Sequence, residues 1–168
     1  MPYTTWINTG KYYDQQDIAK YVIYTSYKQG KYITNLRLQK ILYFLQLIFL
    51  DIYNKPCFDA KMEAWDLGPA IPDIYKYYEE YGTQFLPPEK TSRNFKIKKE
   101  EKETIDSTIS LLSKYSTIQL IGIVKSQTPW KKNYVYYDSS EIPLEDLKEF
   151  VKVMKESGNK PYTMTNAE

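Results

Sequence analysis

The sequence predicts a mainly α fold: a compact single-domain bundle of five or six helices around a central buried helix at about 34–53, with a small two-stranded β element pairing about 61–67 with 95–98. Three observations lead there. A length of 168 residues suits one domain with a core of its own. Apolar residues recur at helical spacing through most of the chain, and period-two alternation is confined to two short segments. The run Ile41 to Leu50, interrupted by Gln46, is apolar nearly all round a helix, which puts other elements on every side of it.

The elements follow in chain order. Residues 1–12 lack a period and read as an N-terminal arm. Asp14 can cap a first helix, with Asp17 favourable in its first turn, Ile18 and Val22 on its apolar face and Gly30 at its end. Thr34 caps the central helix. At about 100° per residue, Leu38, Ile41, Leu42, Leu45, Ile48, Phe49 and Ile52 share one arc, and Leu36, Tyr43, Leu47 and Leu50 lie opposite. Asn54-Lys55-Pro56 breaks it. Residues 61–67 alternate as a short strand, Gly68-Pro69 turns, and Pro72 opens a helix that stops at Gly82. Residues 83–94, with Pro87-Pro88, read as a loop, and Phe95 to Lys98 alternate as a second strand. Ile105, Ile109 and Leu112 mark a helix over 100–115 with an acidic first turn. Ser116 caps the next, to about Lys125. Pro129-Trp130 interrupts, and Asn133 to Tyr137 form a tyrosine-rich loop. The last helix starts near Pro143, carries Leu147, Phe150, Val151 and Met154, and closes at Gly158. The domain is thus 1–158, with 159–168 a flexible tail.

Composition narrows the chemistry. The chain holds 23 Lys+Arg against 21 Asp+Glu, one cysteine (Cys57), 18 tyrosines and no histidine. One cysteine allows no internal disulfide and no thiolate cluster. Without histidine there is no imidazole base, triad or zinc ligand. Cys57 therefore reads as an inert buried thiol rather than a nucleophile. No glycine spacing matches a phosphate-binding loop. Carboxylate pairs such as Glu63 with Asp66, or Glu79 with Glu80, have surface solvation as their ordinary role. The expectation is a protein that is not an enzyme and has no cofactor or metal. Met1 to Trp6 lack the pattern of a signal peptide, and the longest apolar run falls short of the roughly 20 residues a membrane helix needs, so the expected location is the cytoplasm.

Two features suit binding. Arg93, Lys96, Lys98 and Lys99 form a basic run with Phe95 and Ile97 interleaved, a pattern that can contact phosphates. It also suits an edge strand protected by lysines, and Glu100, Glu101 and Glu103 directly after it cancel much of its field, which favours that second reading. Tyrosine joins a large apolar ring to one polar tip and is enriched at interfaces. Tyr75, Tyr77 and Tyr78 on one helix, and Tyr134, Tyr136 and Tyr137 in one loop, are candidates for such a surface, with compositional bias the alternative.

The central segment is the most specific. It runs Leu36-Arg37-Leu38-Gln39-Lys40-Ile41-Leu42-Tyr43-Phe44, then Glu63-Ala64-Trp65-Asp66-Leu67-Gly68-Pro69-Ala70-Ile71-Pro72-Asp73-Ile74-Tyr75. This resembles the Panacea antitoxin domain family, which includes SocA-like and GepA-like phage-associated proteins. Asp17 to Tyr21 upstream, and Leu120 with Pro129-Trp130 downstream, extend the resemblance over about 14–150. Family members often carry Thr-His shortly before the Pro-Trp pair, and here Val124-Lys125 stands in that place. The resemblance implies a binding protein that neutralises a co-encoded toxin by direct contact, with delivery to a protease as a variant of that role. A phage or mobile-element protein that binds a host defence or regulatory protein is the alternative, and nucleic-acid binding through Arg93 to Lys99 a third. The motif positions are Gln39, Lys40, Tyr43, Trp65, Gly68, Pro69, Tyr75, Lys125, Pro129, Trp130, Tyr134, Tyr136 and Tyr137. Several of them have a purely structural reading as packed helix and turn residues. Gln39 and Lys40 differ, because polar side chains on a buried helix require partners, for which the Gly68-Pro69 turn is the expected one.

Overall fold

The computed structural model describes residues 12–89 and 95–160. Its centre is a helix buried on every side from Leu38 to Leu50. In chain order the elements are α1 (Gln15–Lys28), α2 (Asn35–Tyr53), β1 (Glu63–Trp65), β2 (Gly68–Ala70), α3 (Pro72–Tyr77), a 3₁₀ turn (Glu79–Tyr81), α4 (Lys99–Leu112), α5 (Thr117–Ser126), α6 (Thr128–Asn133), β3 (Ser140–Glu141) and α7 (Leu144–Glu156). Capping fixes three of the helix starts. Asp14 accepts from the Asp17 amide, Thr34 accepts from the Arg37 amide, and Ser116 and Gln119 form a reciprocal capping box.

Every residue of α2 from Leu38 to Leu50 is buried. Around it pack α1, α3, α4, α5, α7 and β2. The polar break in its apolar run Ile41 to Leu50, Gln46, is clamped on both sides. Its Nε2 donates to the Phe58 carbonyl at 2.9 Å, and its Oε1 accepts from the Cys57 amide at 2.8 Å. The segment after α2 is thereby stitched to the helix it has just left. Cys57 is buried, and burial pushes its thiol well above the ordinary range.

The sheet differs from the expected two-stranded element. Its order is β2-β1-β3, all antiparallel, with Glu63 opposite both Ala70 and Glu141. Both edges of β1 are therefore taken, and 95–98 does not pair with it. Instead the Ile97 amide donates to the Phe95 carbonyl at 2.9 Å, closing a three-residue turn. The alternation there is real but serves the core directly. Phe95 packs edge-on against Tyr21 with ring centres 5.2 Å apart, Ile97 is partly buried, and Lys96 and Lys98 are exposed.

Pro129 differs too. It sits in the first turn of a short helix, α6, where a missing N–H costs nothing, while Gln127 before it is extended. Pro129 thus starts an element rather than interrupting one, and the described residues hold seven α-helices where five or six were expected. Among those residues no helix is long and apolar enough to cross a membrane. The arm before Tyr12, Arg93, and the tail beyond Lys160 lie outside the described residues.

Candidate functional site

Two turns of α2 face the β1–β2 hairpin, and the polar residues between them do most of the positioning. Lys40 is 1 % exposed, and its Nζ donates to the Pro69 carbonyl at 2.9 Å. Gln39 Oε1 accepts from the Ile71 amide at 2.7 Å, its Nε2 donates to Asn35 Oδ1 at 3.1 Å, and Asn35 Nδ2 donates to the Tyr75 carbonyl at 3.0 Å. The helix thus holds the hairpin exit and the start of α3 through side chain to backbone bonds. Gly68 makes the close approach possible. Its φ is +105°, and a Cβ there would stand 2.7 Å from Val124 Cγ2 and 3.2 Å from Lys40 Nζ.

The other side of the hairpin is aromatic. Trp65 donates from Nε1 to Glu63 at 2.7 Å and packs edge-on with Tyr75, ring centres 5.0 Å apart. Trp130 donates from Nε1 to the Trp65 carbonyl at 2.8 Å. Tyr134 stacks on Trp130 with ring centres 4.4 Å apart, and its hydroxyl donates to Asp66. That bond raises the Tyr134 hydroxyl above its ordinary range. Lys125 Nζ lies 4.9 Å over the Trp130 ring. Val124 and Lys125 therefore serve the hairpin and Trp130 respectively.

Between helix and hairpin lies a cleft of about 570 Å³. Gln39, Lys40, Trp65, Gly68 and Tyr75 line it, together with Asn35, Leu36, Asp66, Leu67 and the Tyr137-Asp138-Ser139 loop. Tyr137 is 90 % exposed with φ +63°, and its ring centre lies 4.0 Å from that of Tyr136, itself 68 % exposed. Burial, and then the charge of Lys125, push the Lys40 ammonium down to about 7. Tyr43 stands apart from the cleft. It is fully buried with its hydroxyl on Gln127 Oε1 at 2.7 Å, and burial pushes it upward. Pro129 is buried as well.

The lining residues Asn35, Leu36, Leu67 and Asp138 were not singled out from the sequence. Asn35 carries a usable signal, since it stands one turn before Gln39 on a buried helix. The 137–139 loop is held at the cleft by β3 after it and by Tyr134, on Trp130 and Asp66, before it, and a two-residue polar strand has no pattern to read. Of the basic run, Lys96, Lys98 and Lys99 are exposed, and the Lys98 amide donates to the Tyr13 hydroxyl at 3.1 Å.

A family model described as "Antitoxin SocA-like, Panacea domain" matches residues 38–131, more than half of the chain. The chain belongs to the SocA-like Panacea domain family. The match takes in most of α2, the hairpin, Lys125 and Trp130, so nearly all of the cleft except Asn35, Leu36 and the 137–139 loop lies inside the Panacea domain. Antitoxin SocA of Caulobacter vibrioides (strain NA1000 / CB15N) is 37 % identical over 54 residues, which is 32 % of this chain and 29 % of the relative. The likeness thus spans less than a third of that relative's length. No solved structure matches the chain.

Proposed function

We propose that this Panacea-domain protein is the antitoxin of a toxin–antitoxin pair and neutralises its toxin by direct contact through the face that holds the cleft. The observation that carries the reading is the meeting of Gln39, Lys40, Trp65, Gly68 and Tyr75 on one cleft whose lip bears exposed Tyr137, with exposed Tyr136 against its ring. Exposed aromatic side chains beside a formed cleft suit a protein partner, because they supply large contact area at low entropic cost. The composition supports binding rather than catalysis. The chain has no histidine, and its one thiol is buried.

Co-expression with the product of the neighbouring gene tests this. The neighbour alone should arrest growth, and the pair should grow and co-purify at fixed stoichiometry. Tyr136→Ala with Tyr137→Ala should weaken that rescue without changing the thermal midpoint. A neighbour that is harmless alone, or that stays toxic and unbound, overturns the proposal. Rescue that depends on a host protease, with no stable complex, would instead mark delivery for proteolysis.

A further inference from the structure

Lys40 carries a formal charge at the base of the cleft with little to balance it. An ammonium has three donors, and the Pro69 carbonyl takes one. Among the described residues Lys40 forms no ion pair. A buried cation without a counterion is costly, and a structural tether to one carbonyl does not need one, since a neutral amide donor would serve. The other buried polar groups beside it are already engaged. Gln39 and Asn35 hold each other, the Ile71 amide and the Tyr75 carbonyl. On the hairpin side Gly68 presents no side chain to Nζ; a Cβ there would stand 3.2 Å from Nζ and 2.7 Å from Val124 Cγ2, so backbone and Val124 wall that side while Lys40 lines the cleft on the other. The positive charge of Lys125 adds to the potential felt at Lys40.

We propose that the cleft takes the carboxylate side chain of an acidic residue of the partner protein, received by Lys40 Nζ between the aromatic walls of Trp65 and Tyr75. This rests on the antitoxin reading and names the chemistry its cleft recognises. The size fits, because about 570 Å³ holds a short stretch of extended peptide rather than a folded element. The rim selects further. Asp66, which accepts from the Tyr134 hydroxyl, and Asp138 are exposed at the mouth, and their like charge opposes a polyanion such as nucleic acid strongly and a single carboxylate more weakly, a cost the bond to Nζ must exceed. Leu36 and Leu67 supply apolar wall for that stem, Leu67 being half exposed in the free chain.

The ¹⁵N-labelled full chain, titrated with N-acetyl-glutamate methylamide and with the glutamine analogue, decides it. The acid should shift the Gly68 and Ala70 amides saturably, and the amide should bind about tenfold more weakly or worse, the scale of one buried charge pair. Lys40→Met should abolish the response while keeping a dispersed spectrum. Should that variant not fold, the wild-type chain still answers: followed by its ¹³Cε shift, the Lys40 titration should move up when the acid is bound. A merely structural lysine would not move. Equal binding of acid and amide, no saturable shift up to about 50 mM, or an unmoved Lys40 overturns the proposal. Neutralisation of the toxin by a chain that ignores both compounds would leave the antitoxin reading intact and remove this one. Binding of the acid by a chain that neutralises nothing would do the reverse.

Discussion

At the scale of single residues, Gly68 carries the tightest constraint in the cleft. A side chain there meets two separate obstacles: the backbone at φ +105° and Val124 Cγ2 at 2.7 Å. The first is worth about 1–3 kcal/mol by itself. Gly68→Ala should therefore lower stability by about 2 kcal/mol or more in urea unfolding. Only the contact with Val124 can be relieved by trimming Val124. The double variant Gly68→Ala with Val124→Ala should be less destabilised than the sum of the two singles. Strictly additive costs would mean that the two sites do not touch as described. Residues of this kind are partly legible in a sequence. A glycine before a proline signals a turn, and Gln39 and Lys40 betray a contact by being polar on an apolar helix. Which partner stands behind the glycine is set by α5, more than fifty residues later, and no local pattern carries that.

At the scale of elements, what the sequence reveals follows from how local each element's cause is. The central helix is legible at both ends, because Thr34 caps it and Asn54, in the left-handed region at φ 54°, stops it. Helix α5 is legible for the same reason, through Ser116 and Gln119. Its box yields a clean test: Ser116→Ala removes one acceptor from the first turn and should cost about 1 kcal/mol. Ser107→Ala, at an exposed position within α4, should cost nothing or stabilise slightly, because alanine is the better helix former. Equal losses in the two would show that the box adds nothing. The sheet, by contrast, is decided by competition. The 95–98 segment has the right alternation for a strand, yet β1 pairs with the adjacent Gly68–Ala70 and with Ser140–Glu141, and Phe95 gains more by packing on Tyr21. Two polar residues such as Ser140 and Glu141 announce no strand, so the loop they carry to the cleft mouth is invisible until the chain is folded.

For the whole molecule, the absence of histidine and the burial of Lys40 combine into a measurable dependence on pH. Folding holds the Lys40 ammonium down to about 7, while in the unfolded chain it stays protonated to about 10.4. Between those values the unfolded state binds the extra proton, so stability rises with pH, by at most about 1.4 kcal/mol per unit. Below about 7 both states carry the proton, and Lys40 contributes no slope. Most proteins blur this window with histidines, and this chain has none. The opposite drift begins at higher pH. Burial raises the Cys57 thiol, and burial raises Tyr13, Tyr43 and Tyr78, so these groups stay protonated in the folded state after their unfolded counterparts ionise. Their pull starts near about 8.5 for the thiol and about 10 for the tyrosines, and it lowers stability as pH climbs. The urea midpoint of the wild-type chain should therefore climb from pH 7 to about 8.5, then flatten and fall. Lys40→Met should flatten the first limb and leave the second. It should also be the more stable chain at pH 7 if the cost of the buried charge exceeds the value of the lost bond to Pro69, a balance that buried ion replacements often tip that way. A wild-type midpoint that does not change between pH 7 and 8.5 would mean that Lys40 keeps its charge in the fold at no cost, and that the cleft already balances it without a partner.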